Sequence, residues 1–85
     1  MTPLQQTLVR LSLEVNSKAT LNEAADLDRK FGEVGIDSLE AMSLMLAVTE
    51  HFGITIPDAE IDAVMTLNEL ARLVERELAN AGRQA

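Results

Sequence analysis

Three times in this chain a threonine or an aspartate stands three residues ahead of a glutamate: Thr20 and Glu23, Asp37 and Glu40, Thr66 and Glu69. That is the spacing of a capping box. The first side chain accepts the backbone N–H three residues on, and the glutamate reaches back to the first residue's own N–H. Each pair therefore marks a helix start. Thr2-Pro3 marks a fourth, because a proline at the first helical position has no N–H to leave unpaired.

The apolar pattern agrees. Leu4, Leu8, Leu11 and Val15 recur on one face of a helix, which Asn16-Ser17 end. The Asp37 cap predicts a helix from Ser38 to about Phe52, stopped by Gly53. "ITIP" reads as extended chain, since Pro57 disfavours a helical Ile56. Pro57-Asp58 open a short helix ending near Ala63. Leu67, Leu70, Ala71, Val74 and Leu78 form the apolar face of a last helix, with Gly82 just past it.

Residues 18–36 are less periodic. A short helical turn fits after Thr20, and Gly32 and Gly35 punctuate the end. A connection of this length is often functional. With no strand pattern, repeat or linker, the 85 residues read as one domain, 1–85. The fold class is all-α: a four-helix bundle of three longer helices and one short helix, with a long loop between helices 1 and 2.

The helix from Ser38 has two apolar faces. On a wheel, Ala41, Leu44, Met45, Val48 and Phe52 cluster on one side, as the core face. Leu39, Met42 and Leu46 cluster on the other. Burying a Leu or Met stabilises by ~1.5–3 kcal/mol each, so three left in water forgo a sum comparable with the net stability of a small domain. A docking surface for partner proteins accounts for them. Two plainer accounts stand beside it: scattered exposed apolar side chains, which are common, and burial under the 18–36 loop.

The charge has a pattern too. From Phe31 to Ala71 there is no lysine or arginine, against eight acidic residues, and the formal net charge of −7 comes from this block. Such a field repels nucleic acid and anionic membranes and attracts basic protein surfaces. A solubilising surface would look the same. No stretch approaches the ~20 apolar residues of a membrane span. The first residues lack the basic and apolar run of a signal peptide. There is no cysteine, which excludes disulfides and thiolate metal sites. The expected setting is the cytoplasm.

The serine in "GIDSL" (Gly35–Leu39) opens this helix. A serine nucleophile needs a base within reach. His51, the single histidine, lies thirteen positions on, roughly 20 Å along the helix at about 1.5 Å per residue. No G-x-S-x-G elbow is present, and no catalytic residue is assigned. "DLDRKFGEVGID" (Asp26–Asp37) fails as a calcium loop. Lys30 occupies the fifth position, and Phe31 the sixth, where glycine is needed. No metal ligand is assigned. Nor does a lysine follow Gly32 and Gly35 as in a phosphate-cradling loop. Two readings of Ser38 stay open: it merely assists the cap, or it is the substrate of another enzyme. A phosphate attached there would sit at the positive end of a helix dipole.

"FGEVGIDSLEAMSLMLAVTEHFGITIP" resembles the signature of acyl carrier proteins, in which a Gly-x-Asp-Ser-Leu stretch carries the prosthetic group. The likeness continues through "DAEIDAVMTLNELARLVEREL" and runs from about Leu4 to Leu78. It implies that Ser38, flanked by Asp37 and Leu39, carries 4′-phosphopantetheine through a phosphodiester. The terminal thiol of that arm would hold acyl groups as thioesters. It further implies that Leu39, Glu40, Met42, Leu46 and Glu50 meet partner enzymes. Leu44, Val48, Ile56, Ile61, Val64, Leu67 and Leu70 would line a core able to shelter an acyl chain. The implied partners are a phosphopantetheinyl transferase and acyl-transferring, elongating or modifying enzymes, acting on a monomeric carrier that is their substrate and not itself an enzyme.

Ser43 and Thr49 fall where primary fatty-acid carriers usually show acidic residues, and Val34 where leucine is commoner. These departures suit a carrier for fatty-acid, polyketide or related specialised biosynthesis. The alternatives are an unmodified helical interaction adaptor and an aminoacyl or peptidyl carrier.

Overall fold

Three of the four start signals open helices, and a fourth, short helix starts at Pro57-Asp58. A computed structural model describes residues 1–82. The last three residues of the expected 1–85 domain, Arg83 among them, lie outside the described residues. The helices are α1 (Pro3–Val15), α2 (Ser38–Phe52), α3 (Asp58–Ala63) and α4 (Leu67–Asn80). Thr2 accepts the Gln5 N–H at 3.1 Å, and the Gln5 side chain takes the Thr2 N–H at 2.8 Å, so α1 has its own box. Thr66 accepts the Glu69 N–H at 3.1 Å, while the Glu69 carboxylate reaches one residue further back, to the Met65 N–H, at 2.9 Å. Gly53 ends α2 in the left-handed conformation, with φ +65°.

The Thr20 box does not form. The Thr20 N–H bonds the Val34 carbonyl at 2.8 Å, and Leu21 is drawn into the core instead of starting a helix. A 3-10 turn follows later, at Ala24–Asp28. Asp26 serves its start, accepting the N–H groups of Asn22 and Glu23, both at 3.0 Å. The Glu23 N–H in particular, helped by Asn22 and by Arg29, holds the Asp26 carboxyl below its ordinary pKa against the opposing effect of burial. A second 3-10 turn spans Phe31–Val34.

The core is built from α1, α2, α4 and, unexpectedly for so polar a segment, the long loop. Leu8, Leu44, Leu70, Val48 and Val74 are fully buried, as is Leu27 of the loop. Ala19, Leu21, Phe31, Val34 and Ile36 of the loop join them. Ile56 and Leu67 are buried as expected, and Ile61 and Val64 are half-buried against the same cluster. The one buried polar side chain among the described residues, Ser12, donates its hydroxyl to the Leu8 carbonyl at 2.7 Å, so its burial leaves no unmet polar atom.

Polar ties fasten the loop to the far end of the bundle. The Phe31 N–H bonds the Met65 carbonyl at 3.0 Å, beside an isolated bridge between Lys30 and Thr66. Asn68 donates to Asp28 at 2.7 Å and accepts from the Gln5 side chain at 3.0 Å. The short α3 buries no residue fully, and an Arg76–Glu60 ion pair joins it to α4. Among the described residues no helix is long and apolar enough to cross a membrane.

Candidate functional site

The turn before α2 sets the geometry. Gly35 takes φ +93°, a conformation that costs an L side chain about 1–2 kcal/mol. An added Cβ would meet nothing nearer than the Ala19 Cα at 3.9 Å, so backbone conformation and not space calls for glycine here. Ile36 is buried and its N–H bonds the Phe31 carbonyl at 2.9 Å. That anchor turns Asp37 and Ser38 outward.

Asp37 and Glu40 close the expected box. The Asp37 carboxylate accepts the Glu40 N–H at 2.8 Å and the Glu40 carboxylate accepts the Asp37 N–H at 3.0 Å. Ser38 is the first residue of α2 and is exposed. Its hydroxyl makes no hydrogen bond to another described residue. The cap is complete without it, so the assisting role open in the sequence is not the one it plays.

Beside Ser38 opens a cleft of about 660 Å³ between the second 3-10 turn, α2 and α3. Ser38, Met42 and Met45 line one side, and Phe31, Ile61 and Met65 the other. Lys30 also lines it, opposite in charge to Glu33, Asp37 and Asp62 of the same lining. A second cleft, of about 630 Å³, continues along α2 and shares Met42, Met45 and Ile61 with the first.

The two apolar faces of α2 separate as the wheel requires. Leu44, Met45 and Val48 are buried, with Ala41 and Phe52 packed against the core. Leu39, Met42 and Leu46 are 77%, 66% and 61% exposed. The loop does not fold over them; its apolar residues go into the core instead. Glu50 is exposed on the same helix. Glu40 is half-buried, with one oxygen engaged in the cap. His51 is exposed, with its ring edge-on to Phe52 at 4.8 Å.

Sequence reasoning missed Asn16. It ends α1, yet its side chain reaches the Gly35 carbonyl at 2.8 Å and Glu40 at 3.3 Å. No sequence signal marks this, because the partners lie 19 and 24 residues away. Among the described residues no group of His, Asp and Glu is arranged to hold a metal ion.

The family described as "Phosphopantetheine attachment site" matches residues 7–74. The chain is 29% identical over 72 residues to acyl carrier protein 2, chloroplastic, of Spinacia oleracea, covering 82% of this chain and 55% of that protein. It is 39% identical over 61 residues to part of the nonribosomal peptide synthetase-like enzyme fsqF of Aspergillus fumigatus, covering 71% of this chain and 4% of that protein. The chain thus spans about half the length of the plant carriers it matches. Among solved structures it is similar to the hexanoyl acyl carrier protein of the actinorhodin polyketide synthase from Streptomyces coelicolor. There the TM-score is 0.79 at 29% identity, covering 95% of this chain and 94% of that one.

Proposed function

The chain belongs to the phosphopantetheine attachment-site family, as an acyl carrier protein, and from that premise we propose that Ser38 bears a covalent 4′-phosphopantetheine arm and that residues 1–85 act as one carrier domain. Members of this family carry and do not catalyse. The observation that carries the reading is the exposed Ser38 hydroxyl, which has no partner within the described chain and stands at the first turn of a 15-residue helix beside an apolar cleft.

The residues fit the group. The first N–H groups of α2 face an attached phosphate with the positive end of the helix dipole. The arm supplies a thiol to hold an acyl group, the sulfur nucleophile this cysteine-free chain lacks. In the modification step, the Ser38 oxygen forms a bond to the pantetheine-bearing phosphorus of coenzyme A. The bond from that phosphorus to the bridging oxygen breaks, and its electron pair leaves with adenosine 3′,5′-bisphosphate. The serine proton passes to a base of the transferase. Nothing in the carrier needs to supply that base, which agrees with the distance of His51 along the helix.

Leu39, Met42 and Leu46 form the face that partners grip, and Glu40 and Glu50 with the rest of the acidic block steer basic partner surfaces toward it. A small apolar patch with charge around it suits the brief encounters of a monomeric carrier passed from enzyme to enzyme. Those partners are a phosphopantetheinyl transferase and the acyl-transferring and modifying enzymes of a biosynthetic pathway. Likeness to an actinorhodin polyketide carrier supports acyl cargo of that general kind. Likeness to a segment of a peptide synthetase-like enzyme supports aminoacyl cargo as a second reading.

Intact mass tests the attachment. Incubation with coenzyme A and a phosphopantetheinyl transferase adds one phosphopantetheine mass to the wild type and none to Ser38→Ala. A wild type that stays unmodified would point instead to an unmodified helical adaptor. Loading of the modified carrier with acyl or aminoacyl groups by the corresponding enzymes separates the two cargo readings.

A further inference from the structure

We propose that Asn16 is a positioning residue for the modification of Ser38, an inference that rests on the reading above. The Asn16 side-chain oxygen, Oδ1, accepts the Lys18 N–H at 3.0 Å. A backbone N–H can only donate, so this bond fixes which end of the amide points which way. The amide nitrogen then faces two acceptors, the Gly35 carbonyl at 2.8 Å and Glu40 Oε1 at 3.3 Å. Glu40 Oε1 is also the atom that takes the Asp37 N–H.

One side chain at the end of α1 therefore braces both sides of Ser38. It holds the left-handed glycine three residues before it and the capping carboxylate two residues after it. The backbone ties of the turn are uneven: Gly35 N–H to Gly32 at 3.4 Å and Val34 N–H to Lys30 at 3.3 Å are long, whereas Ile36 N–H to Phe31 at 2.9 Å and Thr20 N–H to the Val34 carbonyl at 2.8 Å are firm. None of them reaches the Gly35 carbonyl or the Glu40 carboxylate, which Asn16 holds. Ile36 anchors the turn from inside by its buried side chain. Asn16 is the polar brace from the α1 side.

The brace matters because the transferase must find the serine oxygen in line with the phosphorus it attacks. A displacement of about 1 Å from such geometry can cost about 100-fold in rate. A turn freed of its brace still visits the productive position, so the loss is smaller. Asn16 hydrogen-bonds none of Leu39, Met42 and Leu46, so its loss leaves the apolar docking contacts in place; because it does tie Glu40, Asn16→Ala, which adds no charge, is the variant that reads KM cleanly.

Asn16→Asp keeps the shape, removes the donors and sets a carboxylate against Glu40 and the Gly35 carbonyl. Asn16→Ala removes the side chain and introduces no new charge. Val74→Ala, at a fully buried α4 position, lowers stability without touching the turn. With the apo carrier, coenzyme A and a phosphopantetheinyl transferase, both Asn16 variants are expected to lose about tenfold in kcat with KM within about twofold. Amide exchange at Ile36 and Asp37 is expected to quicken in both. Val74→Ala is expected to keep the wild-type kcat. Wild-type kcat in both Asn16 variants, unchanged exchange at Ile36 and Asp37, or an equal loss in Val74→Ala overturns the proposal. A wild-type carrier that takes no arm overturns the reading of Ser38 itself, and the proposal with it.

Discussion

Asp37 and Glu40 each satisfy the other's backbone: the Asp37 carboxylate holds the Glu40 N–H at 2.8 Å, and the Glu40 carboxylate holds the Asp37 N–H at 3.0 Å. Ser38 lies between them in sequence and contributes nothing to either bond. The hydroxyl is thus held in place by its neighbours and left free for chemistry from outside. The same pairing gives Glu40 a structural duty alongside any part in steering partners, and the two can be separated by mutation.

Removing the cap should be felt as stability. Asp37→Ala leaves the Glu40 N–H unpaired at the start of α2, and loss of an N-cap costs about 0.5–2 kcal/mol. For a domain this small each 1 kcal/mol corresponds to roughly 4–8 °C in melting temperature. Thermal unfolding followed by circular dichroism measures it. An unshifted midpoint would mean that the box contributes nothing.

Charge and cap part company at two positions. Glu50→Lys alters an exposed carboxylate that makes no hydrogen bond or ion pair with another described residue, so modification should slow at low salt while the melting temperature holds. Glu40→Lys should do both kinds of damage. Glu40→Gln keeps an acceptor for the Asp37 N–H, as glutamine does in other capping boxes, and should hold stability close to wild type. Modification rates across ionic strength decide the matter: equal low-salt rates for wild type and Glu50→Lys would remove the steering role.

Met42 and Leu44 are two residues apart and should respond in opposite ways. Leu44 is fully buried, and Leu44→Ala should cost about 2–5 kcal/mol. Met42 is 66% exposed, so Met42→Ala should leave the unfolding midpoint nearly unchanged and impair turnover by partner enzymes. A large fall in the Met42→Ala midpoint would make this side chain part of the core.

Gly35→Ala tests the turn by conformation alone. Space is available, but φ +93° is not readily adopted by alanine. The expected cost is about 1–2 kcal/mol, together with slower modification of Ser38. A neutral effect on both would show that the turn adjusts to a side chain.

Asp26 should leave a mark on the acid limb of stability. Its carboxyl titrates below the ordinary aspartate value of 3.8, chiefly because the Glu23 N–H donates to it. A group whose pKa is lowered by folding stabilises the fold above its unfolded value, and loses that contribution as pH falls through its folded value. Asp26→Asn should therefore narrow its gap from the wild type as pH drops below about 4. Urea unfolding at a series of pH values measures the gap, and a constant difference would discount the Asp26 contribution.

The sequence by itself determined where helices begin and end, which face of α2 is core and which residue opens that helix. These are local matters. A cap spans three residues, an apolar face repeats within four, and a glycine or proline acts on its own backbone. Tertiary structure alone decided the rest. The Thr20 box fits the same local pattern as the Asp37 box, yet it failed because Leu21 had a core to enter and the Thr20 N–H had Val34 to bond. Whether Leu39, Met42 and Leu46 stayed in water depended on where the loop's own apolar residues went. Asn16 meets Gly35 and Glu40 only because α1 packs on α2, bringing together side chains that chain separation hides. Pairings of that kind depend on packing between elements, and no periodicity along the chain encodes them.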